Sequence, residues 1–351
     1  MTATGAGPVR EAVTRLVADL TATARLPPLL SAAADRLEAT GWHEVATSWS
    51  RLTPTGFPVE LTAGRHIEGL RWTAEVAAPE VPDTDRLFRA AELLDAHHQC
   101  PRRRLVDGLA CAQSSAELRF GAWLGGRESP GADPGLKLYA ELPAPGARPR
   151  GPRIEPGAEL DVADVVLAAA GAAVPPGLAA ALRGLPPGTR ARMLGVEPGR
   201  ARHELYLRLP DVDALDLVPF LHALGSPGAL AGAAGGLPDG LRRLAGRRLG
   251  LSVAWSGGEV TSLTFFVSAR SLFPAAPGAL RALVPDLGRV RDDRVRRALV
   301  GLTPTTAREG SGERGEPAVC VGLVPAPGTR YGTDNYSGRQ WRTDVSSEST
   351  S

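Results

Sequence analysis

The sequence predicts an α+β fold, a ten-stranded antiparallel barrel with helices on its outside. Three observations carry this. Runs that alternate like strands come in pairs, and the pairing recurs five times along the 351 residues. Helical stretches separate the pairs, without the βαβ order that a parallel sheet requires. Ten strands in one twisted sheet curl, and closing the sheet with helices outside removes its edges. The lumen of such a barrel is too wide for side chains alone to fill, so it is expected to hold a ligand. The competing arrangement is two unrelated α+β domains meeting near the Gly/Ala-rich stretch 225–240.

Taken in order, the first pair is 57–62 with 70–76, joined by a Gly-containing turn. The second is 116–124 with 136–142, across a loop rich in Gly and Pro. The third is 192–196 with 203–209, bridged by Glu-Pro-Gly-Arg. The fourth is 249–255 with 261–267, and Ser256-Gly257-Gly258 supplies its hairpin turn. The last is 318–324 with 329–336. Between pairs, Leu87, Phe88, Ala91 and Leu94 recur at helical spacing over 84–97, and 211–224, 237–244 and 274–299 behave alike. Two further helices are predicted before the first hairpin, at about 9–23 and 28–39. The stretch 337–351 has no apolar period and is expected to be a disordered polar tail behind a single domain over 1–336.

Composition narrows the function classes. The 40 basic and 38 acidic residues are mixed along the chain and leave a net charge of +2, with no polybasic tract for nucleic acid or a membrane surface. Cys100, Cys111 and Cys320 show no CxxC and no metal-like spacing, which reads as reduced cytosolic thiols. No stretch approaches the ~20 uninterrupted apolar residues of a membrane span, and the N-terminus lacks a signal-peptide pattern. The expectation is a soluble, cytoplasmic protein with no metal site.

Lys137 is the only lysine among the 40 basic residues. It lies in the alternating run Gly135-Leu-Lys-Leu-Tyr-Ala-Glu-Leu-Pro143, which places its ammonium and the Tyr139 phenol on one strand face. A compact ammonium suits a phosphate oxygen as a point charge, and an adjacent phenol can shield what the phosphate leaves behind. A surface lysine beside a packed tyrosine is the plainer reading.

Two segments carry a family resemblance. Ser50-Arg-Leu-Thr-Pro-Thr-Gly-Phe-Pro-Val-Glu60 followed by Leu70-Arg-Trp-Thr-Ala-Glu75 resembles the opening hairpin of the aromatic prenyltransferases of the dimethylallyltryptophan synthase type, a Pro-x-Glu strand and then an Arg-aromatic-x-x-Glu strand. Leu136-Lys-Leu-Tyr-Ala-Glu-Leu-Pro143 is similar to that family's Lys-x-Tyr strand ending in Pro. The resemblance implies five αββα repeats, the prenyltransferase barrel. It also implies transfer of a prenyl group from its diphosphate to an electron-rich aromatic, an indole or tryptophan derivative, with no cofactor.

By the same resemblance Glu60 is the acceptor-binding base. If Glu60 faces the lumen, strand alternation sends Val59 and Leu61 to the helix layer, where apolar side chains belong. A carboxylate in a partly desolvated lumen becomes a better proton acceptor; a salt-bridged strand carboxylate is the alternative. Arg71, Lys137 and Arg202 are implied to hold the diphosphate by charge-assisted hydrogen bonds, without metal, since Asp292-Asp293 has no spaced third acid. Tyr139, Tyr206 and Phe266 are implied to shield the allylic cation, with Tyr331 or Tyr336 as loose candidates in the last repeat.

The chain also departs from the pattern. The family's third repeat reads Arg-x-Lys-x-Tyr, whereas Arg202-His203-Glu204-Leu205-Tyr206 has Glu204 in place of the lysine, and Phe266 stands where another tyrosine is usual. No lysine occurs near 119–123, where some members carry the one that removes the ring proton. Trp72, Trp123 and Trp255 sit on strands and line either the lumen or the helix layer. A binding or pathway-partner barrel that has lost catalysis is therefore the rival class, and another lumen-binding α+β barrel a third.

Overall fold

Alternating runs bounded by Gly and Pro fold as strands. They are β1 Val59–Gly64, β2 Leu70–Glu75, β3 Ala122–Glu128, β4 Gly135–Glu141, β5 Arg190–Glu197, β6 Arg202–Arg208, β7 Gly250–Ser256, β8 Glu259–Ser268, β9 Arg297–Leu302 and β10 Val319–Leu323. The structure, a computed structural model, describes residues 59–64, 70–77, 80–114, 117–128, 135–143, 162–171, 174–210, 250–268, 297–302 and 319–323, with Leu52, Phe220 and Ala223. The helices expected at 9–23, 28–39 and 237–244, nearly all of 211–224, the stretch 225–240, Asp292-Asp293, Tyr331, Tyr336 and the tail 337–351 lie outside the described residues.

Each described strand pairs antiparallel with its neighbours, in the order β1-β10-β9-β8-β7-β6-β5-β4-β3-β2. β1 pairs with β2 on one side and β10 on the other, so the order returns on itself. Four helices are described: α1 Asp83–Ala96, α2 Arg103–Ser114, α3 Val162–Ala170 and α4 Pro176–Arg183. In α1 the buried Leu87, Ala90 and Leu94 fall on one face, and Asp83 and Asp85 complement the dipole of the first turn. Pro176 starts α4 with a preset φ, and Gly184 follows its last residue.

Helices α1 and α3 pack over β3, β4 and β5. The side chains they cover, among them Leu124, Leu136, Leu138, Ala140 and Leu194, are buried. A fully buried ion pair, Arg86 Nη1 to Glu75 Oε2 at 3.0 Å, ties α1 to the end of β2. Removing one partner of such a pair costs about 3–5 kcal/mol, because the other charge is stranded.

Three expectations need correction. The second hairpin begins at Ala122 rather than residue 116, because Gly121 adopts φ 70° and turns the chain just before the strand. The strand then runs through Gly125 and Gly126, which look like a loop in sequence. Their missing side chains leave room for the rings of Tyr139 and Trp72, whose atoms would lie 2.6 and 2.1 Å from an added Cβ. The fifth hairpin pairs 297–302 with 319–323, so the run expected as its first strand is its second; the expected partner 329–336 lies outside the described residues. Its first strand, Arg297-Ala-Leu-Val-Gly-Leu302, takes the end of the helix expected over 274–299, because five small or apolar residues behind one arginine are ambiguous by period alone; residues 274–296 lie outside the described residues.

Paired residues share a sheet face, so register assigns every side of the sheet. Trp72, Leu138, Leu205 and Trp255 belong to the helix-covered face. Glu60, Thr73, Gly125 and Lys137 lie along one row of the opposite, inner face, and Arg71, Tyr139, Gly195, Glu204, Tyr206 and Ser252 share that face.

Candidate active site on the inner face

The site is built from the middle of β4 outwards. Alternation turns Lys137 and Tyr139 inward, and opposite them β5 carries Gly195. A Cβ at Gly195 would lie 2.2 Å from Lys137 Cε, so the lysine stem crosses β5 where that strand has no side chain. It thereby reaches β6. Its Nζ donates to a Glu204 carboxylate oxygen and, at 3.0 Å, to the Tyr206 hydroxyl.

Both carboxylates of the cluster have more than one partner. Glu204 accepts from Ser252 Oγ at 2.7 Å and lies 3.5 Å from Arg202 Nη1. Arg202 donates from the same nitrogen to Glu197 at 2.8 Å and from Nη2 to Ser262 Oγ at 3.1 Å. Glu197 is in turn 3.7 Å from Lys137. Two cations, Lys137 and Arg202, thus face two carboxylates, Glu197 and Glu204, and their formal charges sum to zero.

The electrostatics follow from burial against pairing. Burial disfavours the Glu204 carboxylate, but the Lys137 ammonium, the Arg202 guanidinium and hydrogen bonds from Lys137 and Ser252 outweigh it and hold its pKa at about 2. Burial likewise disfavours the Lys137 ammonium, yet Glu204 first, then Tyr139 and Glu197, raise its pKa. Burial and then the Glu204 charge push the Tyr206 phenol well above its usual value. At neutral pH the pair is charged and Tyr206 keeps its proton.

The two phenol rings flank the ammonium. Lys137 Nζ lies 5.0 Å from the Tyr139 ring centroid and 5.2 Å from that of Tyr206, and the rings stand 5.9 Å apart. Both distances suit attraction between a cation and a ring face.

Sequence reasoning therefore selected four residues, Lys137, Tyr139, Arg202 and Tyr206, that the fold brings together. Glu60 is buried on β1, in the same inner-face row as Lys137 through Thr73 and Gly125. Arg71 points to the same face from β2 but is exposed. Phe266 has the inner-face register on β8, opposite Gly250. Of the tryptophans, Trp72 and Trp255 belong to the helix layer, while Trp123 lies on the inner face, stacked on Phe120 at 3.6 Å.

Glu197, Ser252, Ser262 and Gly195 were missed. Two of them left signals: a glycine inside the strand Arg-Met-Leu-Gly-Val marks a close approach, and a serine inside Gly-Leu-Ser-Val-Ala-Trp breaks a buried apolar run. Among the described residues no group of three or more His, Cys, Asp or Glu is placed to hold a metal ion, and no helix is long and apolar enough to cross a membrane.

No known protein family and no curated protein matches the chain by sequence. Solved structures match it in three dimensions. The 5-dimethylallyltryptophan synthase from Streptomyces coelicolor superposes with a TM-score of 0.60 at 16% identity, covering 90% of this chain and 97% of that one. The apo form of the prenyltransferase PriB gives 0.60 at 18% identity, covering 90% and 95%. The 6-dimethylallyltryptophan synthase from Micromonospora olivasterospora, solved in complex with DMASPP and Trp, gives 0.57 at 17% identity, covering 90% and 96%. What is shared at these identities is the fold: the chain has the architecture of the aromatic prenyltransferases that its opening hairpins resemble in sequence.

Proposed function

We propose that the protein transfers a prenyl group of the dimethylallyl type from its diphosphate to an electron-rich aromatic acceptor, an indole or tryptophan derivative, without a metal ion. One observation carries this reading. Lys137, Arg202, Tyr139 and Tyr206 converge on the inner face, in register with Glu60, within a fold shared with prenyltransferases.

In this reading Arg71, Lys137 and Arg202 take up the charge of the leaving diphosphate as the allylic C–O bond breaks, and the electron pair departs with it. Tyr139 and Tyr206, with Phe266, shield the allylic cation and exclude water. The acceptor ring forms the new C–C bond, and Glu60 holds the acceptor and receives a proton. We read 1–336 as one αββα barrel carrying this chemistry in the cytoplasm, and 337–351 as a polar tail.

The Lys137–Glu204 pair favours a second reading, a barrel that binds a ligand without turning it over, because the central cation is already neutralised. A mass-spectrometric screen of aromatic acceptors with several prenyl diphosphates in excess EDTA separates the two. Prenylated product is expected in EDTA, and Glu60→Gln is expected to lower turnover by ~10²-fold or more while the fold survives. Activity lost in EDTA and restored by Mg²⁺ overturns the metal-free mechanism, and no product from any pair favours the binding protein.

A further inference from the structure

The cation at the centre of the site is engaged from within the chain. Lys137 Nζ is hydrogen-bonded to Glu204 and to the Tyr206 hydroxyl, and the lysine is buried. An incoming phosphate must therefore draw Lys137 away from a carboxylate. The arrangement of that carboxylate makes such an exchange feasible, because Glu204 has a second set of partners. Ser252 Oγ at 2.7 Å and Arg202 Nη1 at 3.5 Å remain to it after Lys137 has left.

We propose that Glu204 is a specificity-determining residue of the donor site, an internal counter-charge that competes with the donor's phosphates for Lys137 and so penalises a head group in step with its negative charge. The proposal rests on the prenyl-transfer reading and adds to it which donor property the site selects. Each cation of the cluster is paired with a carboxylate of the cluster, so a charged head group gains Lys137 as a partner only by displacing it from Glu204. Protonation does not relieve the competition near neutral pH, since Glu204 titrates at about 2. Gly195 leaves the lysine room to swing between carboxylate and ligand.

The test is titration calorimetry with three ligands of rising charge: dimethylallyl alcohol, dimethylallyl monophosphate and the non-hydrolysable thiolo analogue of dimethylallyl diphosphate. Glu204→Gln keeps the shape and removes the charge. It is expected to tighten the diphosphate analogue about tenfold or more, the monophosphate less, and the alcohol not at all. Ser252→Ala is the second probe and leaves the chain's charge unchanged. Taking away the other donor ties Glu204 more firmly to Lys137, so diphosphate affinity is expected to fall several-fold with the alcohol unmoved. Changes of equal size for all three ligands mark Glu204 as merely structural and overturn the proposal, as does unchanged or weaker diphosphate binding in Glu204→Gln. If neither phosphate binds the wild type or either variant, the prenyl-transfer reading falls and takes this inference with it.

Discussion

Two buried carboxylates of the inner face are held in opposite ways. Glu141, the last residue of β4, accepts hydrogen bonds from three consecutive backbone N–H groups, those of Arg119, Phe120 and Gly121, at 2.9, 2.6 and 2.9 Å. Gln113 reinforces the same corner by donating to the carbonyls of Gly121 and Glu141 at 2.7 and 2.9 Å. Among the described residues Glu204 is held by side chains, Lys137 and Ser252, with Arg202 nearby. Backbone donors cannot rotate away, whereas a lysine on a four-carbon stem can. The difference teaches that burial and satisfaction do not by themselves distinguish a structural carboxylate from a functional one. What distinguishes them is whether the partner is free to leave.

The largest expected effects come from breaking the fixed corner. Glu141→Ala strands three backbone donors at once and is expected to cost about 3 kcal/mol or more. Gly121→Ala attacks the same corner from the backbone. Its φ is 70°, and an added Cβ would lie 1.9 Å from the carbonyl oxygen of Asp83, which cannot yield as a side chain would. Urea unfolding is expected to show both variants well below the wild type. A Glu141→Ala protein as stable as the wild type would remove the contrast with Glu204.

The exchangeable corner is read through pH. The Glu204 carboxyl titrates at about 2 in the folded protein against an ordinary 4.5, so the folded state binds that proton less readily than the unfolded chain. Its charge therefore stabilises fully above pH 4.5, and the contribution is lost as pH falls from there to about 2. The amount is on the order of 3 kcal/mol. The unfolding free energy of the wild type minus that of Glu204→Gln is expected to be constant near neutral pH and to shrink across that window. A difference independent of pH would mean that the carboxylate contributes by shape rather than charge.

Much of this site was legible in the chain, and the reason is periodicity. A lone lysine two residues from a tyrosine on an alternating strand, and an arginine four residues from another tyrosine, needed only the two-residue repeat to be placed on one face. Four hairpins were likewise visible, because Gly-containing turns separated runs of Val, Leu and aromatic residues. What escaped depended on packing between strands distant in sequence. Gly125, Gly126 and Gly195 look like breaks until the rings and the lysine stem that fill their space are seen. Glu204 reads in sequence only as a replacement of the family's lysine. Its neutralisers are Arg202 and Lys137, the latter reaching across β5 from 67 residues away. The strand 297–302 failed for a different reason, since the five small or apolar residues that follow Arg297 fit a helix turn as well as a strand.

The mildest substitution separates the two corners most sharply. At Gly195 an added Cβ would meet Lys137 Cε at 2.2 Å, Lys137 Nζ at 3.0 Å and Tyr206 Cε2 at 3.4 Å. The first obstacle is the far end of a flexible side chain, so Gly195→Ala is accommodated by moving the lysine rather than the backbone. Losing a charged hydrogen bond to Glu204 costs about 1.5–3 kcal/mol. Restricting the unfolded chain at a former glycine returns roughly 0.4–1 kcal/mol. Glu204 meanwhile keeps Ser252 and Arg202, and a net loss of about 1–2 kcal/mol is expected, the smallest of the series. Affinity for the dimethylallyl diphosphate analogue is expected to drop alongside it, because the displaced ammonium no longer spans β5. Thermal melts and calorimetry on the same preparation check both halves. If Gly195→Ala melts as low as Gly121→Ala, Lys137 is as immovable as a backbone group, and a site that works by handing its lysine from carboxylate to phosphate is ruled out.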